Sequence, residues 1–161
     1  MHHHRHFWPI AAAAVVSTLT LVGCTGPKPT NSDDIRPIAL GELRRLIAEQ
    51  AAEPDDDVLF LVDPRRRVQF DAGHLPNAEN LFLTDAPPGG GRDPRIDANK
   101  HIVVYGDNPG STPAEAMTKR LISLRYKGVR WFKGGVASWA EAGLPLVTTS
   151  QAVVGEDAEG G

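Results

Sequence analysis

At 161 residues, with 41% hydrophobic and 23% charged side chains, the chain is long enough for one domain with a real core and has a globular composition. Its formal charge of -3 and pI near 6.0 exclude a general nucleic-acid binder, which would carry a basic face. The single cysteine, Cys24, excludes an internal disulfide framework and any paired-cysteine metal or redox site.

The first element in chain order is a leader. Residues 1–23 comprise a short basic start, with Arg5 among histidines, an apolar run from Phe7 to Val22, and then Leu21-Val22-Gly23-Cys24. The run is shorter than the 18 or so residues of a spanning helix. Its end resembles the lipobox of bacterial lipoproteins. That resemblance implies cleavage before Cys24, a diacylglycerol on its sulfur and acylation of the new amino group, and several acyl chains give stable membrane attachment. The alternatives are a plain secretory signal or a short anchor, with Cys24 incidental. Cleavage leaves 16 basic and 20 acidic residues, so the exported chain would not hug an anionic surface unaided. Thr25 is not the aspartate of an inner-membrane retention signal, a weak lean toward an outer membrane.

Residues 24–34 include TGPKPTNSDD, polar and without periodicity, and read as a flexible tether. The fold is expected over 35–147. Leu40, Leu43, Leu46, Ile47 and Ala51 share a helical face, and Val58 to Val62 reads as a strand. A second short strand is expected around Ala78 to Leu81, and a third, the clearest buried run, from Ile102 to Tyr105. The next helix carries a capping signature: Thr112 as N-cap, Pro113 at the first helical position and Glu115 completing a capping box. Ala114, Met117, Leu121 and Leu124 form its buried stripe, and Arg125, Lys127 and Gly128 its basic end and stop. Val129 to Phe132 follows as a strand and Val136 to Ala142 as a short helix. Residues 148–161 read as a polar, disordered tail. Strands alternating with helices predict an α/β fold, a parallel sheet with helices on both faces.

Three blocks of this pattern resemble the rhodanese-like domains. Leu61-Val62-Asp63-Pro64-Arg65, Phe70 and Gly73-His74-Leu75-Pro76-Asn77-Ala78 form the first block. Gly134-Gly135, Trp139, Gly143 and Pro145 form the closing one. Between them, Val103-Val104-Tyr105 and a seven-residue turn, Gly106, Asp107, Asn108, Pro109, Gly110, Ser111 and Thr112, lead into a helix. The resemblance spans roughly 35–147. It implies that active members carry, at the first position of that turn, a cysteine whose thiolate is held by backbone N–H groups and a helix N-terminus, conditions that stabilise an anion. Here that position is Gly106. The loop arginine position falls on Ser111 and the usual glycine on Pro109, while Asp107 adds negative charge.

No substitute nucleophile is apparent, because Ser111 and Thr112 lack an adjacent base and Asp107 lacks a surrounding cluster of metal ligands. His101 opens the third strand, roughly 16 Å from Gly106. His74 is expected at the sheet end opposite the ligand rim, and both histidines read as structural. Asp63 and Arg65 are fold-holding residues by the resemblance, yet Arg65, Arg66 and Arg67 together form a candidate basic rim for an anion or acidic partner. The long stretch from Phe82 to Asn99 is a lid, a partner loop or slack chain. The expectation is an envelope-facing, lipid-anchored rhodanese-like domain without sulfur transfer, acting as a binding or regulatory module. It has no catalytic residue, cofactor or metal, at most weak anion binding, and a protein partner in the envelope. An enzyme with an unrecognised nucleophile, sulfurtransferase- or phosphatase-like, and a purely structural envelope lipoprotein are the alternatives.

Overall fold

The computed structural model describes residues 28–149; the leader, Cys24 and residues 150–161 lie outside the described residues. Four parallel strands form one sheet in the order β2-β1-β3-β4: β1 (Leu59–Asp63), β2 (Ala78–Asn80), β3 (His101–Tyr105) and β4 (Val129–Phe132). Leu61 stands opposite Ala78 on one side and Val103 on the other, and Tyr105 opposite Phe132.

Because side chains alternate across a strand, each apolar strand feeds two layers. Leu59, Leu61, Val103 and Tyr105 pack against Leu43, Leu46 and Ile47 of α1 (Leu40–Ala52) and Trp139 of α5 (Gly135–Glu141). Phe60, Val62, Ile102 and Val104 face Ala114, Met117 and Leu121 of α4 (Thr112–Ser123), with Ile96 of the short α3 (Pro94–Asp97). Burial of each such Leu, Ile or Val contributes about 1.5–3 kcal/mol. The outer edge of β4 is covered by chain, since the Ile38 N–H donates to the Trp131 carbonyl and the Trp131 N–H to the Arg36 carbonyl.

Three local expectations are corrected. Residues 28–34, read as flexible tether, lie along α4: the Lys28 N–H donates to the Ser123 carbonyl at 2.9 Å, and Ser32 Oγ donates to Glu115 at 3.1 Å. Asn31 caps a short 3-10 turn, Ser32–Asp34, there. Polar composition concealed this because the contacts are themselves polar. The Thr112/Glu115 capping box does not form. Thr112 is the first helical residue, and the Glu115 carboxylate is drawn outward to Ser32 and to Lys119 at 2.7 Å. The helix also stops at Ser123, earlier than its basic end suggests, with Arg125 itself in the left-handed region at φ 65°.

His101 lies half-buried at the base of β3, with an Arg130 guanidinium nitrogen 3.3 Å from its Nδ1. Burial first, and the Arg130 charge second, hold its pKa below the usual 6.5. The unfolded chain therefore binds this proton more readily than the folded one. Its stability contribution is complete above about pH 6.5 and is lost as the pH falls through the lower folded-state value. Melting temperature followed against pH should show an acid-side decline in the wild type that is shallower in His101→Gln.

Candidate functional site

The C-terminal ends of β1 and β3 and the start of α5 converge on one buried charge network. Asp63, the last residue of β1, is fully buried and accepts from the Arg65 backbone N–H (3.0 Å), Nε (2.9 Å) and Nη2 (2.7 Å). Arg65 is 5% exposed and also donates to the Gly73 carbonyl at 2.8 Å and to Asp107 at 3.1 Å. Burial alone would depress the guanidinium pKa, and the hydrogen bond and charge of Asp63 more than reverse this. The guanidinium also lies over the Tyr105 ring, 5.8 Å from its centroid. The Tyr105 hydroxyl accepts from the Leu75 N–H, and its pKa is raised by burial and then by the Asp63 charge.

This geometry corrects the basic rim. Arg65 is a buried ion-pair partner and does not face solvent. Arg67 pairs with Asp71 at 2.9 Å and lies over Phe70, so only Arg66 of the three is left as an outward cation, beside the exposed Val68. Gly73 and His74 also lie under the rim and not at the far end of the sheet. α2 (Arg67–Ala72) has six residues, too few to carry the chain back down. The His74 ring stacks on Phe70 with centroids 3.8 Å apart, and its backbone bridges Val147. Pro76 and Asn77 make the turn into β2, Asn77 taking φ 60°.

The turn between β3 and α4 is closed upon itself. A Cβ built on Gly106 would lie 2.0 Å from Ser111 Oγ and 2.4 Å from Ser111 Cβ, so the buried Ser111 side chain occupies the space a side chain at 106 would need. Two backbone donors of the turn are already used: the Ser111 N–H on the Asn108 carbonyl and the Gly110 N–H on Asn108 Oδ1. The carbonyls of Gly106 and Asp107 accept from the Val136 and Ala137 N–H groups, both at 2.9 Å, which ties the turn to the start of α5. Pro109 has no N–H to offer. Asp107 does not confront the cradle as an unpaired carboxylate, because Arg65 and Gln69 hold it.

The closing residues secure this arrangement from the side. Gly134 and Gly135 open α5, Trp139 Nε1 donates to the Pro145 carbonyl at 2.9 Å, and Gly143 turns at φ 69°. Sequence reasoning missed Gln69 and Asn80. Asn80 Nδ2 donates to the carbonyls of Asp63 and Arg65, at 2.8 and 2.9 Å, and so fixes the chain leaving β1. An asparagine ending a short strand was the available signal. Among the described residues no group of three or more His, Cys, Asp or Glu side chains is placed to hold a metal ion.

The sequence matches the family model described as "Rhodanese-like domain" over residues 41–142. The chain belongs to that family. An uncharacterized Escherichia coli protein, YibN, is 32% identical over 146 residues, covering 89% of this chain and 92% of its own. The uncharacterized Synechocystis protein slr1261 is 30% identical over 98 residues, covering 61% of this chain and 52% of its own. The solved structure of the human single-domain sulfurtransferase TSTD1 superposes with a TM-score of 0.51 at 24% identity, covering 65% of this chain and 95% of that one. A Rhodopseudomonas palustris protein of unknown function, RPA3614, superposes at 0.56 with 19% identity, covering 71% and 86%. These superpositions carry the fold alone. In this rhodanese-like domain the buried Arg65, through Asp107, and the Gly134-Gly135 corner, through the Val136 and Ala137 N–H groups, brace the loop beginning at Gly106.

That packing makes Gly106→Cys a test of the loop's shape. Overpacking of a filled site typically costs about 1–3 kcal/mol. The substitution should lower stability by that amount in a denaturant titration, and Gly106→Cys combined with Ser111→Gly should recover most of the loss.

Proposed function

We propose that this rhodanese-like domain is anchored to a bacterial envelope membrane through acylated Cys24, carries out no sulfur transfer, and serves as a binding or regulatory module. The observation that carries the reading is at Gly106: the position where the family resemblance expects a persulfide-bearing cysteine has neither a sulfur atom nor the volume for one beside Ser111. Covalent sulfur transfer needs an atom on which the intermediate can form. The tightly braced turn, retained without such an atom, supports a role for the rim as a shaped surface. Arg66 and Val68 on its outer side are the groups a partner would meet first, Val68 being 68% exposed. The anchor is supported by the Leu21-Val22-Gly23-Cys24 pattern at the end of an apolar run.

Thiosulfate-to-cyanide sulfur transfer by the purified Cys24→Ser protein tests the catalytic half of this reading. The expected rate equals that of buffer, and turnover above buffer would contradict it. Loss of the protein from the membrane fraction on Cys24→Ser tests the anchor, and normal retention would sink it.

A further inference from the structure

The stretch from Phe82 to Asn99 is not slack chain, because polar contacts fasten it to α4 and to the turn after α4. The Arg120 guanidinium donates to the Ala86 carbonyl, and Arg92 donates to the Arg125 carbonyl at 3.1 Å. The Asp93 N–H donates to the Tyr126 hydroxyl, and the Asp93 carboxylate caps α3 by accepting from the Arg95 N–H at 2.9 Å. Between these fastenings lies a cavity of about 210 Å³. Leu81, Phe82 and Ala86 line it from the chain after β2, Ile96 from α3, and Met117 and Leu121 from α4. The Gly106 turn contributes nothing to its walls.

The charged groups of the lining are already matched. Arg95 pairs with Asp93 at 2.7 Å and with Glu79 at 3.2 Å, and the Asp85 carboxylate accepts from the Phe82 N–H at 2.7 Å. An anionic ligand would meet this surplus of carboxylates. An ammonium would lose its water to an apolar interior and gain only carboxylates that are exposed or already bonded. One polar group stays open. The Tyr126 hydroxyl accepts from Asp93, and among the described residues its own proton meets no acceptor. Tyr126 is buried, and that burial, followed by the Asp93 charge, raises its pKa above the usual value, so the hydroxyl keeps its proton and remains a donor.

We propose that this cavity binds a small uncharged ligand with a compact apolar body and one carbonyl oxygen, which accepts from the Tyr126 hydroxyl. An apolar cavity of about 150 Å³ lined by Leu, Ile and Phe side chains takes up benzene. The larger volume here accommodates a ring with a short carbonyl-bearing substituent. Because the walls are fastened in place, little ordering is needed on binding. The site adds small-molecule recognition to the binding module proposed above and does not depend on the acylation of Cys24.

The test uses the full chain carrying Cys24→Ser, with acetophenone as the neutral probe, benzoate and benzylamine as its charged counterparts, and ethylbenzene as the same shape without an acceptor. The chain has two methionines and two tyrosines, so isotopic labels on the methionine methyl and tyrosine Cζ carbons report at Met117 and Tyr126, with Tyr105 as an internal control. Acetophenone should shift both reporters saturably, with a Kd of about 1 mM or below. Benzoate and benzylamine should bind at least about tenfold more weakly, as burial of an unpaired charge requires. Ethylbenzene should shift Met117 and leave Tyr126 Cζ nearly unmoved. Tyr126→Phe should weaken acetophenone about fivefold relative to ethylbenzene, the loss of one net hydrogen bond. The Cζ comparison leaves Tyr126 intact and decides the hydroxyl's role even where Tyr126→Phe loosens the loop. The absence of a saturable shift at Met117, a charged probe binding as tightly as acetophenone, or equal Tyr126 Cζ shifts from acetophenone and ethylbenzene overturns the proposal.

Discussion

Arg65→Met is expected to lower folding stability by about 3–5 kcal/mol, the usual loss when one member of a buried ion pair is removed. The magnitude follows from what stays behind. Asp63 is fully buried, and three of the four hydrogen bonds it accepts from Arg65 come from the guanidinium, so residue 65 would keep only its main-chain N–H on that carboxylate. The Gly73 carbonyl and Asp107 lose a partner at the same time. For a domain of this size the drop corresponds to roughly 15 °C in melting temperature. Replacing both partners, Asp63→Leu with Arg65→Met, should be less damaging than Arg65→Met alone, because no uncompensated charge is then buried. Calorimetric scans of the two variants check this. A single variant as stable as the wild type would show that the pair is not what holds the rim.

Gly135→Ala carries the second large effect. Gly135 has φ 59°, a conformation that costs a residue with a side chain roughly 1–2 kcal/mol. Its added Cβ would also sit 2.4 Å from the Gly106 carbonyl oxygen and 2.7 Å from the Asp107 carbonyl carbon. Both are backbone atoms and cannot swing aside, so overpacking adds about 1–3 kcal/mol. The substitution should also break the Val136 and Ala137 hydrogen bonds to the turn. Faster amide exchange at those two positions, together with the lower midpoint, would distinguish release of the turn from general loosening. Unchanged exchange there would contradict the bracing role.

The fold was legible because β1, β3 and β4 are short, largely apolar runs between helical periodicities, and three spaced blocks carried the family resemblance. The site was legible only in outline. Gly106 could be read as the absence of a thiol, but the filling of that space by Ser111 depends on the path of the turn. Asp107 looked like an obstacle to anions because its partner, Arg65, lies 42 positions earlier and only the sheet brings them together. The same long-range pairing took Arg65 out of the basic rim. The docking of residues 28–34 on α4 escaped composition for a related reason. Its contacts are hydrogen bonds and ion pairs that leave no hydrophobic pattern, and Asn31, Ser32 and Asp34 read as linker residues until their partners are seen.

The central claim is that no atom of this chain accepts sulfur. Its most direct test is the intact mass of the Cys24→Ser protein after incubation with excess thiosulfate. That protein contains no thiol at all. The account predicts an unchanged mass, before and after, in the folded protein. A species heavier by one sulfur atom, lost again on addition of cyanide, would contradict it.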